Sequence, residues 1–230
     1  MHQQIVEGGQ MVIAGQIQNR HPADGERKNG LGLFPIRLRN GRSVRVRPVR
    51  PTDAAAIQDF VRHLSDNSRR LRFFAPIREL APATLTRLIE SAARRGQALL
   101  AEARDGETSC MVGLSEYAMD DHCDDGGTCE VAVVVADAWQ RMGLGCVLME
   151  TLLESARDAG YARAVADIQP DNKAMLALGR TYDFASARSP HGWSVVRLVR
   201  DLQALLPTDD AWIPTGYASQ PCPTAAFAAL

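Results

Sequence analysis

Cys129-Glu130-Val131-Ala132-Val133-Val134-Val135 constrains this chain more than any other segment. Valine recurs without the strict alternation of a half-exposed strand, so both faces are expected to be covered. The segment predicts a central strand of a sheet with a layer on each side. It also leaves Glu130 as a lone carboxylate near the head of an apolar strand, where a charge needs a partner or a function.

Beyond Asp137-Ala138-Trp139 the chain reads Gln140-Arg141-Met142-Gly143-Leu144-Gly145. Val147, Leu148, Leu152, Leu153 and Ala156 then recur at three- and four-residue intervals, which predicts an amphipathic helix stopped at Gly160. A helix that opens in a glycine-containing turn offers unpaired N–H groups and the positive end of its dipole to an anion. Gly143 and Gly145 let a bulky anion approach the backbone, and Arg141 can add a charge-assisted bond. The Gly-Lys-Ser/Thr of a P-loop is absent, as is the G-x-G-x-x-G spacing of the dinucleotide fold.

Flanking segments complete a layered pattern. Residues 43–49 alternate apolar and polar and read as a half-buried strand. Thr52 and Asp53 offer an N-cap to a helix over Ala54–His63, with Ile57, Phe60, Val61 and Leu64 at helical spacing. A second helix opens at Pro82. Gln97–Ala103 and Cys110–Tyr117 read as strands joined by the turn at residues 104–107. Ala162–Ile168 reads as a strand, Asn172 to Thr181 as a helix, and Trp193–Val199 as a closing strand. This order predicts a mixed α/β domain, residues 43–203, with helices on both faces of one sheet. Residues 1–42 are expected to be a poorly defined extension and residues 204–230 a C-terminal tail.

Gln140-Arg141-Met142-Gly143-Leu144-Gly145 looks like the acetyl-CoA signature Q/R-x-x-G-x-G/A of the GNAT superfamily of N-acetyltransferases. The helix, strand and Asn172-opened helix that follow resemble the rest of that core. More narrowly, Leu64 to Phe74 and Glu130 to Val135 are similar to segments of bacterial protein lysine acetyltransferase domains. The resemblance implies a GNAT fold: a mixed, mostly antiparallel central sheet, splayed in the middle, with helices on both faces. It implies that the backbone of Val133, Val134 and Val135 pairs with the pantetheine arm of acetyl-CoA. The amides of Arg141, Met142, Gly143, Leu144 and Gly145 would hold the pyrophosphate, with Gln140 at the mouth and Asn172 touching the cofactor from the next helix. Glu130 matches the glutamate that serves as general base in the similar lysine acetyltransferases; the plainer reading is a solvent-facing strand residue. The tyrosine that many members use as general acid would fall at Gly179, so that acid is expected to be missing, with Tyr182 a packing residue. The implied acceptor is a primary amine, either a protein lysine or a small amine or amino acid. An acyl-CoA-binding module with weak or no catalysis is the reading from another class.

Composition narrows the partners. With 26 basic against 27 acidic residues the net charge is −1, unlike the basic domain expected of a nucleic-acid binder. No apolar run is long enough to predict a membrane span, and the first residues lack the basic-then-apolar order of a signal peptide. Cys110, Cys123, Cys129, Cys146 and Cys222 are odd in number and irregular in spacing, so no disulfide framework is expected and a cytoplasmic setting follows. His122, Cys123 and Cys129 lack a C-x-x-C pair and a fourth ligand, so no metal is expected. Asp120, Asp121, Asp124 and Asp125 read either as an attractor for a cationic acceptor or as a solvated hairpin loop. Arg42, Arg45, Arg47 and Arg50, with Arg69, Arg70 and Arg72, read either as solvated element ends or as a positive rim for an anionic cofactor. Trp139 and Phe73-Phe74 read as channel lining or as core, and Cys146 as core. The oligomeric state is left open, a homodimer included.

Overall fold

The valine-rich run becomes β5 (Thr128–Val135), fifth in spatial order of the eight strands among the described residues. The structure, a computed structural model, describes residues 35–91, 95–105, 108–120, 122–123, 125–190 and 194–203. Among the described residues the strands are β1 (Ile36–Arg37), β2 (Ser43–Pro48), β3 (Gln97–Asp105), β4 (Thr108–Met119), β5, β6 (Arg163–Ile168), β7 (Ala185–Arg188) and β8 (Val196–Asp201). They lie in the order β1-β2-β3-β4-β5-β6-β8-β7. Every pair is antiparallel except β5 and β6.

Successive residues of a strand face opposite layers, and the two cores divide accordingly, save that a bulge at Val112, opposite Ala101 and Glu102, puts Val112 and Leu114 on opposite faces. On one face Leu100, Leu114 and Val134 pack with Ile57, Phe60 and Val61 of α1 (Ala54–His63) and Leu88 of α3 (Pro82–Ile89). Between them α2 (Asp66–Phe73) follows a short turn at Ser65. On the other face Leu99, Ala101, Val112, Cys129 and Val131 meet Val147, Leu148, Met149 and Leu152 of α4 (Leu144–Asp158), and Leu198 and Phe184 lie beside α5 (Lys173–Thr181). Each fully buried Leu or Met here contributes about 1.5–3 kcal/mol over an exposed one.

The parallel pair is short. Only Thr128↔Arg163, Cys129↔Ala164 and Glu130↔Val165 are partners, after which β6 departs from β5. The sheet is therefore mixed, mostly antiparallel and splayed in the middle.

Sequence and structure differ in several places. The sheet already begins at Ile36, inside the segment expected to be an extension. Helix α2 was not expected, because its sequence Asp-Asn-Ser-Arg-Arg-Leu-Arg-Phe has no apolar stripe. Strand β7, all of it exposed, pairs with β8 although nothing in Ala-Ser-Ala-Arg alternates. Asp53 precedes α1 as expected, but its side chain does not cap the helix. Its carboxylate instead accepts from the Arg50 amide at 2.7 Å and from Arg47 at 2.7 and 2.9 Å. The closing strand runs Val196–Asp201; Trp193 and Cys222 lie outside the described residues.

Candidate active site

The splay creates a strand edge without a partner. In an antiparallel pair, alternate residues exchange both backbone hydrogen bonds. Asp120 N donates to Thr128 O at 3.0 Å, and Ala136 N to Val112 O at 2.9 Å, which fixes the phase of the β4–β5 ladder. Glu130, Ala132 and Val134 thus turn their N–H and C=O groups toward β4. Val131, Val133 and Val135 turn theirs the other way. Beyond the Glu130↔Val165 pair, the Val131 carbonyl, both groups of Val133 and the Val135 N–H face the gap left by β6. Val134 differs from its neighbours: its backbone is spent on Leu114, and its side chain is buried in the α1 face.

At the far end of β5 the chain makes a single 3-10 turn, Asp137–Trp139, and reaches the glycine turn. Arg141 sits at φ 60° and Gly143 at φ 92°, both left-handed; at Gly143 that conformation carries no Cβ penalty. Gly143 is the N-cap of α4 and no side chain caps the helix. Its carbonyl accepts from Cys146 N and Val147 N. Among the described residues, the amides of Arg141, Met142, Gly143, Leu144 and Gly145 have no hydrogen-bond acceptor. An anion can take them without displacing any bond within the protein.

Gln140, at the mouth of the turn, is bonded within the protein. Its Nε2 donates to Val135 O at 3.1 Å and to Ser68 Oγ at 3.2 Å, so it fastens the turn to β5 and α2. Asp137 does the same more strongly. It accepts from Ser65 N at 2.8 Å, Ser65 Oγ at 2.7 Å and Ser68 Oγ at 2.8 Å. Burial would raise the Asp137 carboxyl, but the bonds from Ser65 and Ser68 hold it below its ordinary value. At its other end α2 reaches the loop after β6. Arg70 bonds Gln169 and, at 2.6 Å, Asp171, while Gln169 Nε2 returns a bond to Arg70 O at 2.7 Å. Helix α2 thus joins the segments that follow the two diverging strands.

Glu130 stands at the last paired position before the splay. Its side chain reaches solvent, yet protein atoms crowd it on the α2 side of the sheet. Burial pushes its carboxyl above the ordinary range; Asp167 adds to the rise, Arg72 opposes it, Asp120 adds and Arg197 opposes. Asp167 and Arg197 are register partners on the same face. Arg197 donates to Asp167 Oδ1 at 3.0 Å, to Asp167 Oδ2 at 2.6 Å and to Asp120 Oδ2 at 3.0 Å. The three side chains are 8%, 7% and 1% exposed for Arg197, Asp167 and Asp120. Burial would raise Asp120, but bonds from the His122 amide, Cys123 and Arg197 hold it low. Arg72 pairs with Glu116, two residues from Ala118, the partner of Glu130. The sequence singles out Glu130 but not this setting, since Asp167, Arg197 and Arg72 lie far from it along the chain.

Asn172 is the N-cap of α5, and its Oδ1 accepts from Met175 N at 3.1 Å. Its Nδ2 group is the part left to meet a ligand. Gly179 is closed rather than vacant: a Cβ there would fall 2.3 Å from Leu198 Cδ1, so α5 lies directly on β8. Tyr182 donates to Cys146 O at 2.8 Å and ties α5 to α4.

The weaker candidates resolve into structure. Trp139 and Phe73 pack in the cores, whereas Phe74 is 47% exposed. Arg47 is spent on Asp53 and Glu102, and Arg69 on Asp66 and the carbonyls of Val61, Arg62 and Leu64. Asp125 accepts from Gly127 N and Thr128 Oγ1 within its own hairpin and from Arg163 at the start of β6; Asp121 and Asp124 lie outside the described residues. Among the described residues, no group of three or more His, Cys, Asp or Glu could hold a metal ion, no cysteine is paired, and no helix is long and apolar enough to cross a membrane. Burial keeps Cys129 a thiol, pushed up to about 12.

Known proteins resemble this chain in sequence and in fold. The family model described as acetyltransferase (GNAT) matches residues 63–184. An acetyltransferase of Pseudomonas aeruginosa is 34% identical over 153 residues, covering 66% of this chain and 81% of that protein. The crystal structure of the GNAT domain of S. lividans PAT superposes with a TM-score of 0.66 at 28% identity, covering 73% of this chain and 96% of that one. The yncA structure from Salmonella typhimurium, with its cofactor acetyl-CoA, shares the fold with a TM-score of 0.58 at 20% identity, over 74% of this chain and 99% of that one.

Proposed function

The chain belongs to the GNAT family of acetyltransferases, whose members transfer an acetyl group from acetyl-CoA, and from that premise we propose that it acetylates a lysine side chain of a protein with Glu130 as general base. The observation that carries this reading is the position of Glu130: the last paired residue of β5, at the mouth of the gap, with its carboxyl driven up by burial and then by Asp167.

Acetyl-CoA supplies the activated acyl group. The free amides from Arg141 to Gly145 suit its diphosphate, and the unpaired edge of β5 at Val133 and Val135 suits its pantetheine amides as an added strand would. An acceptor amine must lose a proton before it can attack. Glu130 would take that proton at its carboxylate, directly or through one water. A carboxyl whose proton affinity is raised is a better base when ionised, so the crowding by Asp167 and Asp120 serves the reaction, while Arg72 and Arg197 limit the rise. The closure of Gly179 by Leu198 supports departure of the thiolate without a tyrosine acid. Glu130, Asp167, Asp120 and Glu116 outnumber Arg72 and Arg197 in this region, which favours a cationic acceptor such as lysine. The likeness of residues 64–74 and 130–135 to bacterial protein lysine acetyltransferase domains points the same way.

The test is thiol release from acetyl-CoA with lysine peptides and small amines as acceptors. Glu130→Gln is expected to lower turnover by roughly 10²–10⁴-fold with acetyl-CoA affinity nearly unchanged. The wild-type kcat/KM should rise with pH through a limb above the ordinary glutamate value of about 4.3, and the variant should lack that limb. Equal rates for the two proteins would remove Glu130 from the mechanism. Turnover confined to small amines would move the acceptor to that class, and binding without any turnover would leave a regulatory module.

A further inference from the structure

The loop between β1 and β2 carries Arg39 and Arg42, and it lies before the residues matched by the family model. It folds onto the glycine turn about a hundred residues away in sequence. Arg39 N approaches Met142 O at 3.4 Å, and Asn40 Nδ2 donates to Met142 Sδ at 2.9 Å. The Arg42 guanidinium stacks 3.4 Å from the ring centre of Trp139, itself buried at 7% exposure. The side chain of Arg39 drapes over Gly143: its Nε and Cγ each lie 3.7 Å from where a Gly143 Cβ would be. Arg39 thus lies within van der Waals range of Gly143, and it brings a guanidinium beside the turn whose amides are free.

We propose that this hairpin is part of the cofactor site, with Arg39 binding a phosphate of acetyl-CoA in front of the glycine turn and Arg42, stacked on Trp139, holding the hairpin in place. The inference rests on the reading of that turn as the diphosphate site. Its chemistry is phosphate recognition by a fork of N–H donors. A guanidinium has five such donors, so it can serve a phosphate while keeping contacts within the protein. Arg37, Arg39 and Arg42 fall within six residues, and Arg141 lies on the turn itself. The cofactor offers two targets, the diphosphate and the 3′-phosphate of its ribose. The long 3.4 Å backbone contact leaves the stacking of Arg42 and the Asn40 bond as the firmer fastenings.

Calorimetric titration with acetyl-CoA and with its 3′-dephospho analogue tests the proposal. The proteins are the wild type, Arg39→Gln, Arg39→Lys and, as a control for net charge, Arg78→Gln. Arg39 is exposed, so each variant is expected to keep the wild-type melting midpoint, checked by circular dichroism. Arg39→Gln should weaken acetyl-CoA on the order of tenfold, Arg39→Lys less, and Arg78→Gln not at all. A loss seen with both ligands assigns Arg39 to the diphosphate. A loss seen only with acetyl-CoA assigns it to the 3′-phosphate. Equal affinity of Arg39→Gln and the wild type overturns the proposal and leaves the turn intact. A wild type that binds neither ligand overturns the reading of the turn as well.

Discussion

Glu130 costs the folded chain stability in the ionised form, and the direction of its shift says at which pH. Its folded-state pKa lies above the unfolded value because burial, then Asp167, disfavour the charge. The folded state therefore binds this proton more tightly, and stability falls as pH rises from about 4.3 through the folded pKa. Glutamine has nearly the same shape and no charge to lose. Glu130→Gln is expected to melt higher than the wild type at pH 8, with the difference vanishing near pH 4. A difference independent of pH would mean that the gain comes from something other than the charge. Asp120 and Asp137 carry the opposite sign: both are held low, so the stability they give is present above about 3.9 and is lost as pH falls through their folded values. The residue proposed for chemistry is thus one whose proton the folded chain favours, whereas Asp120 and Asp137 are favoured ionised.

At the scale of elements, α2 spans the opening. Ser65 caps it, its Oγ accepting from Ser68 N at 3.2 Å, and Asp137 gathers both serines to the segment after β5. Arg70 fastens the other end to Gln169 and Asp171 after β6. Asp137→Ala removes three accepted bonds at once, and part of the site is exposed, so a cost of about 1–3 kcal/mol is expected. The same change should weaken acetyl-CoA binding, because Gln140 and the glycine turn lose their anchor at Ser68. Denaturant unfolding and calorimetry read the two effects separately; a loss of stability with unchanged affinity would reject α2 as a support of the cofactor turn. This helix was not legible in the sequence. Its interior is charged, so the usual apolar spacing is missing, and what holds it are polar bonds to residues about 70 and 100 positions later. Strand β1 is too short to show alternation and β7 too exposed. By contrast β5, α4 and the glycine turn were legible because local composition alone dictates them: a buried strand, an amphipathic helix and a turn at positive φ. The same division holds within the proposed site. Glu130 and residues 141–145 stand in one segment and could be read from it, whereas Arg39, Asp137, Asp167 and Arg197 acquire their meaning only when the sheet brings distant strands together.

For the whole molecule, the short parallel pair matters most. Residues 36–135 of the sheet and the β6–β8–β7 part meet along only three register pairs of β5 and β6, helped by the shared core beneath α4 and by α2 above. A ligand laid into the gap would bond to an edge that the unfolded chain cannot present, so it would bind the native state alone. At one hundred times its dissociation constant such a ligand stabilises by about 2.7 kcal/mol. At about 2–4 °C per kcal/mol for a domain of this size, acetyl-CoA should raise the melting midpoint by about 5–10 °C. Amide exchange locates the cause. Val133 and Val135 face the gap, so their N–H groups should become protected on binding. The Val134 N–H is already bonded toward Leu114 and should change little. Equal protection at all three positions would mean that the sheet stiffens as a body. Protection at Val133 and Val135 alone would mean that the cofactor completes the strand edge that β6 abandons.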